Sequence, residues 1–89
     1  MSVGSEVETE RRNRIRLSLA TYGYEFHADS FLTDAEFDEL AKQIKPELST
    51  GHDVLDKFFR EEFGTYTGQW IHKHPELDKL EALYRRLKN

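Results

Sequence analysis

The sequence predicts an all-α fold, a compact single domain of about four helices. Three observations point there. Apolar residues recur at spacings of three and four along most of the chain. No segment of useful length alternates at period two, as a half-buried strand would. Turn signals at Pro46, Gly51, Gly64, Gly68 and Pro75 cut the 89 residues into pieces of helical length.

Residues 1–5 are expected to form a disordered N-terminus, and residues 6–89 a single helical domain. The first helix starts near Glu6. Ile15, Leu19, Tyr22 and Phe26 trace one apolar stripe, while Leu17 and Tyr24 fall on the opposite side at about 100° per residue. Ala28–Leu32 reads as a loop. Thr33-x-x-Glu36 is a capping box that opens the second helix, whose buried stripe is Phe37, Leu40, Ile44 and Leu48. Pro46 disfavours helix at Lys45 and ends it. A third helix from about His52 to Phe63 presents Val54, Leu55, Phe58, Phe59 and Phe63. Gln69–Lys73 is expected as a short helical turn. His74-Pro75 opens the last helix, with Leu77, Leu80, Leu83, Tyr84 and Leu87 as its stripe. The helical second half spans about 50–88.

Composition excludes several functions. Without cysteine there is no disulfide scaffold, thiol nucleophile or thiolate-ligated metal. The glycines stand apart, so no phosphate-cradling loop is present. His27, His52, His72 and His74 lack the carboxylate spacing of a zinc site. No apolar run approaches a membrane span, and the N-terminus has no basic, apolar leader, so a cytoplasmic protein is expected. Nothing resembles an activated nucleophile, and no catalysis is expected.

The net charge of −4 is uneven. Residues 1–50 carry six Lys/Arg against ten Asp/Glu, and residues 51–89 carry seven of each. Arg11, Arg12, Arg14 and Arg16 form a basic cluster, read as a solvated helix face pairing with Glu8 and Glu10; the alternative is phosphate contact. Between Arg16 and Lys42 there is no basic residue, whereas Glu25, Asp29, Asp34, Glu36, Asp38 and Glu39 all fall there. That balance argues against direct nucleic-acid binding and suits a cationic ligand or a basic protein partner.

Within the acidic stretch, Asp34 and Asp38 stand at i and i+4, on one helix face, with Phe37 beside them. If the first two helices form a hairpin, Tyr24 faces the same pocket. Aromatic rings beside two carboxylates make a cradle for a flat cation. The structural alternative leaves Asp34 supporting the helix start, Phe37 in the core and Asp38 in solvent. Trp70, between Gly68 and the last helix, is either a core plug or an interface anchor.

Leu19-Ala20-Thr21-Tyr22-Gly23-Tyr24, the spacer Glu25 to Thr33, and Asp34-Ala35-Glu36-Phe37-Asp38-Glu39-Leu40 resemble the small N-terminal helical domain of NAD-dependent DNA ligases. That resemblance implies that the domain contains an N-terminal helical hairpin, over about 13–45, that holds the nicotinamide mononucleotide half of NAD, whose ring is a cationic pyridinium. It implies cofactor contacts at Tyr22, Tyr24, Asp34, Phe37 and Asp38. Phe37 stands where the family has Tyr, and Glu25 where it usually has His or Tyr. In the second half Phe58-Phe59, Thr67-Gly68-Gln69-Trp70-Ile71 and His72–Leu77 resemble small phage-encoded ligase-related proteins. The family's adenylated lysine sits in a K-x-D-G motif, and no lysine here has that context, so nick sealing by this chain is excluded. The expected function is a non-catalytic binding module that takes a nicotinamide nucleotide, NAD or nicotinamide mononucleotide, weakly, or docks on a nucleotide-handling protein. The alternative is a small acidic interaction or inhibitor protein of phage type, with Glu36, Glu39 and Trp70 as partner interface.

Overall fold

The computed structural model describes residues 3–65 and 67–88, with side chains from Glu6 onward. Four α-helices and one 3-10 helix follow in order: α1 (Val3–His27), α2 (Asp34–Gln43), α3 (Asp53–Glu61), the 3-10 helix Gln69–Lys73, and α4 (Leu77–Lys88). No strand occurs among the described residues. The expectation of a disordered segment at 1–5 is corrected from residue 3 onward, because α1 is already helical at Val3; residues 1 and 2 lie outside the described part, as does Tyr66.

α1 is the axis of the molecule, and α2, α4 and the 3-10 helix all pack on it. α2 returns antiparallel and completes the hairpin: its C-terminal end reaches residue 10, where the Lys45 N–H donates to both Glu10 carboxylate oxygens at 3.0 Å. α4 runs parallel to α1, with Glu81 near Tyr22 and His27 and with Lys88 beside Asp29.

The capping box forms as expected. The Glu36 N–H donates to Thr33 Oγ1 at 3.1 Å and the Thr33 N–H to Glu36 Oε1 at 3.0 Å, so two orphan donors of α2 are satisfied reciprocally. Ile44, extended just before Lys45-Pro46, ends that helix. At the end of α1, Ala28 takes the left-handed conformation, φ 51°, where helices usually place glycine. The Asp29 N–H then folds back to the Gly23 carbonyl at 3.0 Å.

The core joins Leu17, Tyr22, Leu40, Ile44, Phe58, Phe59, Trp70, Ile71, Leu80 and Tyr84. Trp70 is its aromatic centre, with ring centroids 5.1 to 6.0 Å from those of Phe58, Phe59 and Phe63. It is 4% exposed, so the assignment of Trp70 to a partner interface is corrected: its indole surface is spent inside the domain.

The α1 stripe also differs from expectation. Ile15 and Phe26 are exposed, whereas Leu17 is fully buried. The inward face runs Glu10, Arg14, Leu17, Thr21, at i, i+4, i+7 and i+11, so three of these four residues are polar. Arg14 is therefore not solvated. Its Nε donates to Glu10 at 2.6 Å, one Nη to Asp56 at 2.7 Å, and the other to the Lys45 and Leu48 carbonyls at 2.9 and 3.0 Å. Its guanidinium lies 4.9 Å from the Phe59 ring centroid. Asp56 also accepts the Thr50 N–H at 2.9 Å and its hydroxyl at 2.7 Å. Burial resists ionisation of Asp56, but the Thr50 and Arg14 hydrogen bonds outweigh it and hold the carboxyl below its ordinary pKa. This charged knot fastens α1 to the loop 44–52 and to α3. Arg12 and Arg16 remain exposed, as the solvated-face expectation has them. On α3 and α4, Val54, Leu83 and Leu87 lie at the surface, not in the core.

Candidate functional site

Where α1 ends and α2 begins, the hairpin opens into a cleft of about 360 Å³. α1 contributes Thr21 and Tyr24, the connecting loop Phe31, and the first turns of α2 Asp34, Phe37 and Asp38. The opposite wall is made by Thr65, Thr67 and Gly68 from the second half of the chain. Four of the five expected cofactor contacts, Tyr24, Asp34, Phe37 and Asp38, thus line one space. Tyr24 is 62% exposed, and Asp34 and Asp38 are exposed, so the cleft is open to a ligand from solvent.

Tyr22 does not belong to this set. Two residues along a helix turn the side chain by about 200°, which sends Tyr22 to the α4 side of α1. It is buried there, stacks on Phe26 at 4.7 Å, and its hydroxyl donates to Glu81. Burial first, and then the Glu81 carboxylate, push its pKa up to about 12. Glu81 is held down to about 2 by hydrogen bonds from Tyr22, His27 and Arg85. Tyr22 is therefore a brace between α1 and α4, and its place among the cofactor contacts is corrected.

Two neighbours shape the cleft without having been expected there. Gly23 lets the Phe31 ring close against α1: a Cβ at Gly23 would stand 2.9 Å from Phe31 Cε2. Phe31 has Lys88 Nζ 5.3 Å from its centroid, so the ring already takes part in a cation–π contact from the α4 side. Gly68 plays the corresponding part on the far wall, where a Cβ would meet Thr21 Cγ2 at 3.1 Å. Glu25 explains why that wall stays in place. Its Oε1 accepts from Gln69 Nε2 at 3.0 Å and pairs with His72 Nε2 at 3.0 Å, tying the 3-10 helix to α1. A ligand-stacking residue at position 25 would give up this tether.

The remaining expected surface residues separate. Glu36 is committed to the capping box, and the Thr33 backbone N–H, followed by its hydroxyl, holds the Glu36 carboxyl below its ordinary pKa. Glu39 is exposed on α2. Among the described residues no group of three or more His, Asp or Glu side chains is placed to hold a metal ion. No described helix is long and apolar enough to cross a membrane.

The cleft is chemically an acidic, aromatic-walled cradle. A planar cation in this cleft would lie among aromatic side chains and two carboxylates together. Neutral flat molecules would gain only the stacking. Comparison of the chain with protein-family models, with curated proteins and with solved structures returned no match.

Proposed function

We propose that this protein is a small, non-catalytic binding module whose cleft takes the pyridinium ring of a nicotinamide nucleotide. One observation carries this: Tyr24, Asp34, Phe37 and Asp38 converge on a single cleft that the second half of the chain walls on its far side. The resemblance of Leu19–Leu40 to the ligase N-terminal domain supports the same ligand, since four of the five contacts it implies are these. The proposed module acts by holding the nucleotide, alone or against a nucleotide-handling protein that completes the enclosure.

Magnitudes bound the affinity. Ligand cavities run from about 300 to 1,000 Å³ and bury roughly 70–90% of a ligand. A cleft of about 360 Å³ is at the small end, sized for the ring and its ribose and not for a whole dinucleotide. Each exposed carboxylate contributes about 1 kcal/mol to a cation held near 4 Å. Binding by the free chain is then about millimolar, roughly 4 kcal/mol.

The test is a titration of the full chain with nicotinamide mononucleotide and with NAD, followed by amide NMR. Shifts gathered at Thr21, Tyr24, Phe31, Asp34, Asp38 and Gly68, and reduced about five- to tenfold in affinity by Asp38→Ala, are expected. Shifts that avoid the cleft, or that persist unchanged in Asp38→Ala, would overturn the proposal.

A further inference from the structure

A second cavity lies across α1 from the nucleotide cleft. It measures about 350 Å³ and is enclosed by α1, the start of α3 and the start of α4. Its walls are mostly apolar, made by Ile15, Leu55, Phe59, Leu80 and Leu83. Ile15 is 51% exposed and Leu83 36% exposed, so apolar surface that a small domain would ordinarily cover stands open at its mouth.

The polar groups on the lining are mostly hydrogen-bond donors or cations, with Glu76 the one acid among them. His74 lines it and is only 8% exposed. Its Nδ1 accepts the Glu76 N–H at 3.0 Å, which fixes the proton of the neutral ring on Nε2. Burial depresses its pKa to about 4, so the ring is neutral near pH 7. Nε2–H has no acceptor among the described residues, and since no buried side-chain nitrogen or oxygen there lacks a partner, this edge of the ring reaches solvent. His52, the N-cap of α3, likewise accepts the Leu55 N–H at Nδ1, but its Nε2 stands 3.9 Å from the Glu76 carboxylate. Arg11 stands at the rim with a hydrogen bond to the Thr50 carbonyl and no carboxylate partner among the described residues. Glu76, the one acid on the lining, is already paired, with Lys79 Nζ at 2.8 Å and His52 Nε2 at 3.9 Å. The first turns of α3 and α4, with their positive dipole ends, border the same space.

Donors and a cation together with aliphatic walls describe a ligand with an acid group on an apolar tail. We propose that this cavity binds a small organic carboxylate, its carboxylate set between Arg11 and His74 and its hydrocarbon against Ile15, Leu55 and Leu83. Nothing in this site is shared with the nucleotide cleft, so either can fail without the other.

The test uses octanoate as probe, with 1-octanol as its uncharged match, titrated into the full chain near pH 7 and followed by methyl and imidazole-nitrogen NMR. Octanoate is expected to shift the Ile15, Leu55 and Leu83 methyls and the His74 Nε2 resonance, and to bind about tenfold more tightly than 1-octanol. Arg11→Gln is expected to remove that preference while leaving 1-octanol binding intact, which also reports that the cavity is still formed. Equal binding of the two probes, an unmoved Nε2, or an Arg11→Gln protein that keeps the preference would each overturn the proposal.

Discussion

Arg14→Met separates charge from packing at the centre of the molecule. Methionine keeps an unbranched apolar stem near Phe59, while the guanidinium and its hydrogen bonds to Glu10, Asp56, Lys45 and Leu48 are lost. Glu10 and Asp56, 2% and 5% exposed, then sit in the interior without a cation. Removing one partner of a buried ionic cluster costs about 3–5 kcal/mol. At about 0.05–0.15 kcal/mol per residue, a domain of this length holds roughly 4–13 kcal/mol in total. The substitution therefore takes a large share of the stability, through charge and not through volume. Urea unfolding followed by far-UV circular dichroism measures it. Should the variant be unfolded in buffer, Glu10→Gln and Asp56→Asn added to Arg14→Met are expected to recover part of the helicity, because they remove the unpaired charges. A loss under about 1 kcal/mol for Arg14→Met would refute the reasoning and place Arg14 with ordinary surface pairs.

Ala28→Gly relieves a left-handed residue worth about 1–2 kcal/mol and gives back roughly 0.4–1 kcal/mol in unfolded-chain entropy, so a gain of about 0.5–1 kcal/mol is expected in thermal unfolding. His74 carries a pH dependence. Its folded pKa of about 4 lies below the unfolded 6.5, so the unfolded state binds the extra proton between those values, and stability present above pH 6.5 is lost as pH falls to 4. Allowing for solvent screening the loss is about 2 kcal/mol, and His74→Asn, which retains an acceptor for the Glu76 N–H, is expected to flatten that limb in urea melts across the range. Asp38→Asn removes an i, i+4 repulsion with Asp34 and is expected to stabilise α2 by a few tenths of a kcal/mol while weakening nucleotide binding; a destabilised Asp38→Asn protein would assign Asp38 a structural part instead.

Local chemistry made much of the fold legible. Thr33 and Glu36 announce a helix start because both partners of the capping box are within one turn, and Pro46 announces a helix end because it restricts the residue before it. Asp34, Phe37 and Asp38 could be placed together because helical spacing alone puts them on neighbouring faces, and the antiparallel return of α2 brings Tyr24 to them. Long-range contacts were not legible. Tyr22 and Tyr24 share a motif yet face opposite ways, and which one meets α4 depends on where α4 packs. The Arg14 knot was hidden by the assumption that an inward face is apolar: Ile15, Leu19, Tyr22 and Phe26 give the stronger hydrophobic stripe, but Glu10, Arg14, Leu17 and Thr21 give the buried one. The visible signal was Glu10 and Arg14 at i, i+4 in register with Leu17. Phe31, Thr67 and Gly68 had no such signal, since their place in the cleft depends on Gly23 and on the Glu25 tether to Gln69 and His72.

The central functional claim is that the Tyr24–Asp34–Phe37–Asp38 cleft recognises a flat cation and not merely a flat ring. Oxidised and reduced nicotinamide mononucleotide have the same phosphate and ribose and nearly the same outline, but only the oxidised ring is a pyridinium. Parallel titrations of the two forms, read at Tyr24 and Asp38 amides, therefore isolate the charge. Two carboxylates at about 1 kcal/mol each predict the oxidised form to bind roughly tenfold or more tightly. Equal affinities, or tighter binding of the reduced form, would contradict the claim.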